Sequence, residues 1–144
     1  MHTEIKRLTY LSLTDALKTE ISTLFKQLSP NKKQISLKDV LQPDNNNHLV
    51  ICTHEDRLLG IASLCCYNVI SGKKGWIEDV VVESGARGQG IGRKLINELL
   101  LVAKEQELSE VLLFTEDHRL PAIKLYQSLG FKPKETRIYS ISSF

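Results

Sequence analysis

Residues 78–93 read EDVVVESGARGQGIGR. Glu78 to Val82 has the composition of a strand. Gly85, Gly88, Gly90 and Gly92 then interleave with Arg87 and Arg93, and KLINELLLVAKEQ (94–106) continues as a helix. Strand, glycine loop and helix start together form a phosphate-binding arrangement. The first amides of a helix have no carbonyl partner, and the macrodipole places about half a positive charge beside them. Glycines keep side chains off those amides, while the two arginines add charge and bidentate donors.

The motif itself narrows the ligand. A Walker loop needs GxxxxGK[ST], which is absent, and the dinucleotide fingerprint GxGxxG needs a glycine where this chain has Arg93. The strand before the loop also belongs to a meander and does not open a βαβ unit. What is present is Arg-x-x-Gly-x-Gly, at Arg87, Gly90 and Gly92.

Outward from the loop, the chain reads as one domain spanning 1–144, with no repeat, low-complexity tract or linker to divide it. The stretch 14–29 carries Ala16, Leu17, Ile21, Leu24, Phe25 and Leu28 on one helical stripe, started by Thr14 or Asp15 and ended by Ser29-Pro30. SLKDVLQ (36–42) reads as a short second helix. HLVICTH (48–54) and LLGIASLCCYNVI (58–70) form a hairpin across EDR, and SGKKG (71–75) turns the chain into WIEDVVV (76–82). The connections are too short for crossovers, so these strands are antiparallel.

Ile91, Leu95, Ile96, Leu99, Leu100 and Ala103 form an apolar helical face. EVLLFTE (110–116), reached through that helix, should run parallel to WIEDVVV. PAIKLYQSLG (121–130) is a helix from Pro121 to Gly130, and FKPKETRIYSIS (131–142) closes with a strand or a pair. The expected class is α/β: a mixed, mostly antiparallel sheet flanked by helices.

Composition excludes several functions. The apolar fraction of 42% suffices for one core, and a net charge of +2 gives no global field for nucleic acid or an anionic membrane. No signal-peptide pattern opens the chain, and no apolar run approaches the roughly 20 residues of a membrane span, so a soluble, cytoplasmic protein is expected. Cys52, Cys65 and Cys66 show no CxxC or Cys/His cluster. No metal site is expected, and the thiols read as small buried hydrophobes. Lys32-Lys33 and Lys73-Lys74 read as solvated loop charges.

IEDVVVESGARGQGIGRKLINELL, followed about thirty residues later by AIKLYQSLGF, resembles the GNAT family of N-acetyltransferases. The first block is similar to their acetyl-CoA motif, most like the glucosamine-phosphate branch, and the second to their C-terminal motif. The resemblance covers 76–132 well; residues 1–47, where such enzymes shape the acceptor site, match only in element order. It implies a GNAT-type acyl-CoA N-acyltransferase fold and acetyl transfer from acetyl-CoA to a primary amine by direct attack in a ternary complex. A catalytically silent acyl-CoA-binding module is the alternative. Position by position, it implies that the amides of Arg87, Gly88, Gln89, Gly90, Ile91, Gly92 and Arg93 hold the CoA pyrophosphate. The backbone of Val80, Val81 and Val82 would pair with the pantetheine arm like an added strand. Tyr126 falls where the family donates to the departing sulfur. Arg119 stands where many members carry an asparagine, and it would meet a CoA phosphate instead. The acceptor, a small molecule or a protein amine, is not legible. Dimers are common in the family, and no feature here decides for or against a homodimer.

The chemistry fits these roles. An aliphatic ammonium with a pKa near 10.4 leaves only about one molecule in 2,500 free at pH 7. A base must take its proton, and the departing thiolate, conjugate to a thiol of pKa about 8.5, needs a donor. An amide N–H near the strand would polarise the thioester carbonyl. Glu78, which strict alternation places on one face with Trp76, Val80 and Val82 and opposite Asp79, is the candidate base. Glu116 and Asp117 compete for that role, and a structural ion pair is the alternative to a functional Glu78. Core packing is the plainer reading of Trp76 and Tyr126, and a cap or surface position that of His118.

Overall fold

In the computed structural model, which describes residues 1–144, the chain enters its sheet at β1 (Glu4–Arg7) and leaves it for α1 (Asp15–Leu28) and α2 (Leu37–Val40). It returns as β2 (Asn47–His54), β3 (Arg57–Val69) and β4 (Gly72–Val82), then continues through α3 (Ile91–Glu105), β5 (Glu110–Leu112) and α4 (Leu120–Ser128). The strands lie in the order β1-β2-β3-β4-β5, antiparallel through β4 and parallel between β4 and β5. By contact density the chain forms two units, Met1–Leu113 and Phe114–Phe144.

In the first unit the Thr14 hydroxyl accepts from the Leu17 amide at 3.1 Å and starts α1, as expected of a threonine cap. The β2–β3 hairpin turns on Glu55 and Asp56, both left-handed at φ 49° and 63°, the geometry of a two-residue turn matched to strand twist. The next hairpin is also tight: β3 runs to Val69 and β4 begins at Gly72, so Lys73 and Lys74 lie in β4. The expected SGKKG loop was too long, because its lysines are compatible with a strand once paired to Asn68 and Tyr67, and its glycines once paired to Val69 and Cys66.

Strict alternation along β4 fails at one residue. Ile61 pairs with Val81 and Ser63 with Glu78, two steps on β3 against three on β4, and Asp79 at the irregularity has φ 53°. This β-bulge inverts the parity of everything beyond it. Glu78 therefore keeps company with Trp76, as expected, but shares its face with Val81 and not with Val80 or Val82.

The Val81 face packs on α1 and α2 through Leu8, Ile21, Leu24, Leu41, Leu49, Ile51 and Ile61. The opposite face meets α3. There Gly60 leaves room that Leu95 and Ile91 fill, since a Cβ at Gly60 would stand 2.9 and 3.1 Å from their methyl groups. α3 buries Ile91, Leu95, Ile96, Leu99, Val102 and Ala103; Val102 takes the place expected of Leu100, which is only half-buried. Arg7 joins β1 to α3, donating to Glu98 at 2.8 Å and to Glu105 at 2.6 Å.

In the second unit Gly130, at φ 99°, closes α4. The Phe131 amide donates to the Tyr126 carbonyl and the Gly130 amide to that of Gln127, both at 3.1 Å. That pair of bonds is the Schellman arrangement, and the ring contact that accompanies it is Phe131 against Tyr126, edge to face at 6.0 Å. Residues 131–144 contain no strand, contrary to expectation. Pro133 has no N–H for a ladder, and residues 132–144 are exposed along their whole length, without the half-buried face a strand needs.

Leu95→Ala should lower the unfolding free energy by about 2–5 kcal/mol in urea titration, because Leu95 is fully buried and leaves a cavity. Leu100→Ala should lower it by much less. Equal losses would contradict the helical face described.

Candidate functional site

The glycine loop begins with a feature the sequence did not announce. Between β4 and the loop, Ser84–Ala86 form one 3-10 turn, held by the Glu83 carboxylate accepting from the Gly85 amide at 2.9 Å. From α1, the Gln27 side-chain carbonyl accepts from the Ser84 amide at 3.1 Å. Arg87 then folds back, its Nε donating to the Val82 carbonyl at 3.2 Å. The direction of the loop is thus set by β4 and α1 together.

Gly88 and Gly90 both lie at φ 79°, where L residues with a Cβ are strained. A Cβ at either would meet nothing within 4 Å, so the glycines answer to the backbone's path and leave open space above it. Gly90 is the N-cap of α3 and supplies no side-chain cap. The first amides of a fifteen-residue helix therefore point out without a carbonyl of their own helix. Gly92 is different: it lies inside α3, where its missing side chain and not a special φ is its contribution. Gln89 is exposed beside Gly88, Ile91 is buried beneath the helix start, and Arg93 is exposed on the first turn.

Beside this loop β4 has an open edge. β5 pairs with it only at Lys74, Gly75 and Trp76, and the partner strand ends before Val80–Val82 are reached. Val80 and Val82 are half-buried and Val81 is buried, with β3 on one side only. An extended ligand arm of amide character could pair there as an added strand.

At the bulge the carboxylates differ from the expected arrangement. Asp79, expected to point away from Glu78, lines the same pocket as Ser63, because its left-handed backbone turns the side chain toward the α1–α2 face. Burial raises the Glu78 carboxyl above its ordinary pKa, the neighbouring Asp79 charge adds to that, and Lys32 opposes both. Asp79 is exposed at the pocket mouth, and the desolvation it still undergoes there raises its carboxyl, again against Lys32. Cys65, half-buried opposite Trp76, is pushed up by burial and then by the Glu78 and Asp79 charges, which makes its thiolate unfavourable. Cys52 and Cys66 are buried free thiols.

The pocket at Asp79 measures about 290 Å³ and lies between α1, residues 32–35 and the sheet. Lys32 and Lys33 are exposed, as their composition suggested, and they also border this pocket. Nothing in the sequence could have placed them there, because that depends on how the α1–α2 connection crosses the bulge. Trp76 is not among the residues lining this pocket.

In the second unit Tyr126 is buried on α4, and burial raises its phenol, with Arg119 partly opposing. Arg119 is the N-cap residue of α4 and is exposed. Glu116 and His118 pair with each other at 3.3 Å on the surface, which leaves neither shaped as a buried base; Asp117 is exposed.

Residues 15–131 match the family model described as Acetyltransferase (GNAT) family. The chain belongs to the GNAT family. Among curated relatives, the GNAT chain is 49% identical over 51 residues to human N-acetyltransferase 8B, a match covering 35% of this chain and 22% of that protein. It is 36% identical over 64 residues to glucosamine 6-phosphate N-acetyltransferase of Trypanosoma brucei brucei, covering 44% of this chain and 42% of the relative. The chain thus spans less than half the length of these curated relatives. Among solved structures it resembles an aminoglycoside acetyltransferase from an uncultured soil metagenomic sample, with TM-score 0.84, 20% identity and coverage of 99% and 96% of the two chains. Glucosamine-6-phosphate N-acetyltransferase from Arabidopsis thaliana gives TM-score 0.78 at 20% identity, covering 99% and 100%. At such identities the likeness shows the GNAT fold.

The raised Glu78 carboxyl has a signed consequence for stability. Its folded pKa lies above the unfolded value, so the folded state is favoured while the group is protonated and loses that advantage as pH rises through the folded pKa. Glu78→Gln should therefore raise Tm at pH 7, and the gain should vanish below about pH 4, where the unfolded carboxyl also binds its proton. A lower Tm at pH 7 would mean that the Lys32 attraction outweighs burial.

Proposed function

We propose that this GNAT protein binds acetyl-CoA at the Arg87–Arg93 loop and transfers the acetyl group to a primary amine by direct attack in a ternary complex. One observation carries the reading: an α3 start without a side-chain cap, preceded by two left-handed glycines with open space above them and flanked by the unpaired edge of β4. Pyrophosphate suits the first feature by charge and geometry, and the amides of a pantetheine arm suit the second. When bound, acetyl-CoA supplies the activated thioester.

The protein's part is to hold and to move protons. Amides of Gly88, Gln89, Gly90, Ile91, Gly92 and Arg93 receive the diphosphate oxygens, with Arg87 adding charge. The backbone of Val80, Val81 and Val82 aligns the arm beside the bulge, where an N–H aimed at the thioester carbonyl would stabilise its developing negative charge. Glu78, its carboxyl held closer to neutrality than a free glutamate, takes a proton from the attacking ammonium directly or through water. Tyr126 as donor to the departing sulfur, and Arg119 as partner of a CoA phosphate, rest on the family likeness. The reading of 1–144 as one N-acetyltransferase domain rests on its length and the lack of a dividing linker, and a cytoplasmic setting on the sequence patterns alone. No helix is long and apolar enough to cross a membrane. Relatives named for thialysine and for glucosamine 6-phosphate share an amine acceptor, which is what we carry over.

Calorimetric titration with CoA checks the loop. Gly90→Asp should weaken binding at least about a hundredfold by setting a carboxylate among the phosphate oxygens, while Gly90→Asn, which tolerates the same left-handed backbone, should bind measurably better than the aspartate variant. Normal affinity in Gly90→Asp would remove the loop from CoA binding. Thiol release then checks the chemistry: Tyr126→Phe should lower kcat about 10- to 100-fold with KM for acetyl-CoA little changed. A protein that gains Tm with CoA yet frees thiol with no amine would be a binding module and not an enzyme.

A further inference from the structure

The pocket at the bulge carries charges of both signs. Asn47, Ser63 and Asp79 line it from the sheet, Ile21, Phe25 and Leu37 give it apolar wall, and Lys32 and Lys33 line it from the connection between α1 and α2. The Asn47 Oδ1 atom is buried without a hydrogen-bond partner, and it belongs to a residue lining this space. A buried carbonyl oxygen without a donor is costly, and a ligand N–H or O–H would satisfy it. By register Asn47 shares its sheet face with Ser63 and Glu78, since Asn47 pairs with Cys65, Cys65 with Trp76, and Ser63 with Glu78. The sheet wall of the pocket therefore offers oxygen acceptors and negative charge to a cationic donor.

The connection between α1 and α2 offers the opposite. Lys32 influences both carboxylates through space, yet forms an ion pair with neither, and Lys33 adjoins it in the chain. The connection that carries them is fixed to α1, because the Gln34 side-chain amide donates to the Ser22 carbonyl at 3.0 Å. A volume of about 290 Å³ lies at the small end of ligand pockets, roughly 300–1,000 Å³.

We propose that the acceptor is a small zwitterionic amine. Its ammonium rests at Asn47 Oδ1 and Asp79, on the sheet face that also carries the Glu78 base, and its anionic group, carboxylate or phosphate, faces Lys32 and Lys33. This rests on the acetyltransferase reading above and adds the acceptor's charge pattern to it. The same lysine pair opposes polycations, whose second ammonium would meet like charge with little room to avoid it.

The test follows thiol release by the full chain with acetyl-CoA and two matched pairs: lysine against lysine methyl ester, and glucosamine 6-phosphate against glucosamine. Spermidine serves as the polycation. In at least one pair the anionic member should have kcat/KM at least about tenfold higher, with a KM that rises with salt, and the pair showing it tells carboxylate from phosphate. In the Lys32→Gln/Lys33→Gln double variant that ratio should fall below about threefold while CoA affinity stays at its wild-type value, which shows that the fold is kept. Asn47→Leu should raise KM for both members of a pair. Equal rates within both pairs, a preference for spermidine, or a preference that survives the double variant would overturn the assignment and leave the acetyltransferase reading standing. Turnover of no amine at all would overturn both.

Discussion

Beyond Trp76 the backbone of β4 has β3 on one side and no β5 on the other, because parallel pairing stops after three residues. A strand in the interior of a sheet ordinarily satisfies both its edges with neighbours. Here the second edge is left over, and it is left over just where the bulge at Asp79 bends the strand and where the chain departs for the glycine loop. The open edge, the left-handed aspartate and the α3 start are three results of one local decision: β4 continues past its neighbour. α3 and α1 brace that decision from opposite faces, through Leu95 and Ile91 on Gly60 and through Gln27 on Ser84.

Electrostatics divide along the same line. The helix start and the arginines make one end suited to diphosphate, and the bulge brings Asp79 into the wall of the pocket under α1 and α2, beside Glu78 in the chain. Bringing Glu78 and Asp79 to one side is unfavourable in isolation, since burial and mutual repulsion both raise the Glu78 carboxyl. A base for an ammonium gains from that same penalty, because its proton affinity moves toward neutral pH. The ends are therefore complementary: one attracts anions by backbone, the other accepts protons by side chain.

The loop, α1, the two hairpins, the parallel entry of β5 and the start of α4 were legible in the sequence, because each rests on local rules. Thr14 caps, Pro121 starts a helix, glycines mark left-handed turns, and apolar periods of two and about 3.6 separate strand from helix. Four features were not legible. The bulge was hidden because nothing in the composition of WIEDVVV marks Asp79 as left-handed, and missing it misplaced Val80, Val82 and Asp79 itself. Lys73 and Lys74 looked like loop until pairing with Asn68 and Tyr67 made them strand. The tail 131–144 had strand-like composition but no neighbour to pair with. Lys32 and Lys33 became pocket residues only through the path of a connection that no periodicity encodes. Each of these is set by tertiary context, while the legible ones are set within a few residues of chain.

The central claim is that bare amides at the start of α3 receive the CoA diphosphate. Backbone amide shifts of the nitrogen-15-labelled protein, followed during titration with CoA, report on it residue by residue. The largest movements should fall on Gly88, Gln89, Gly90, Ile91 and Gly92, with a second set on Val80–Val82. Saturation by CoA with those amides unmoved, and the shifts gathered elsewhere in the chain, would contradict it.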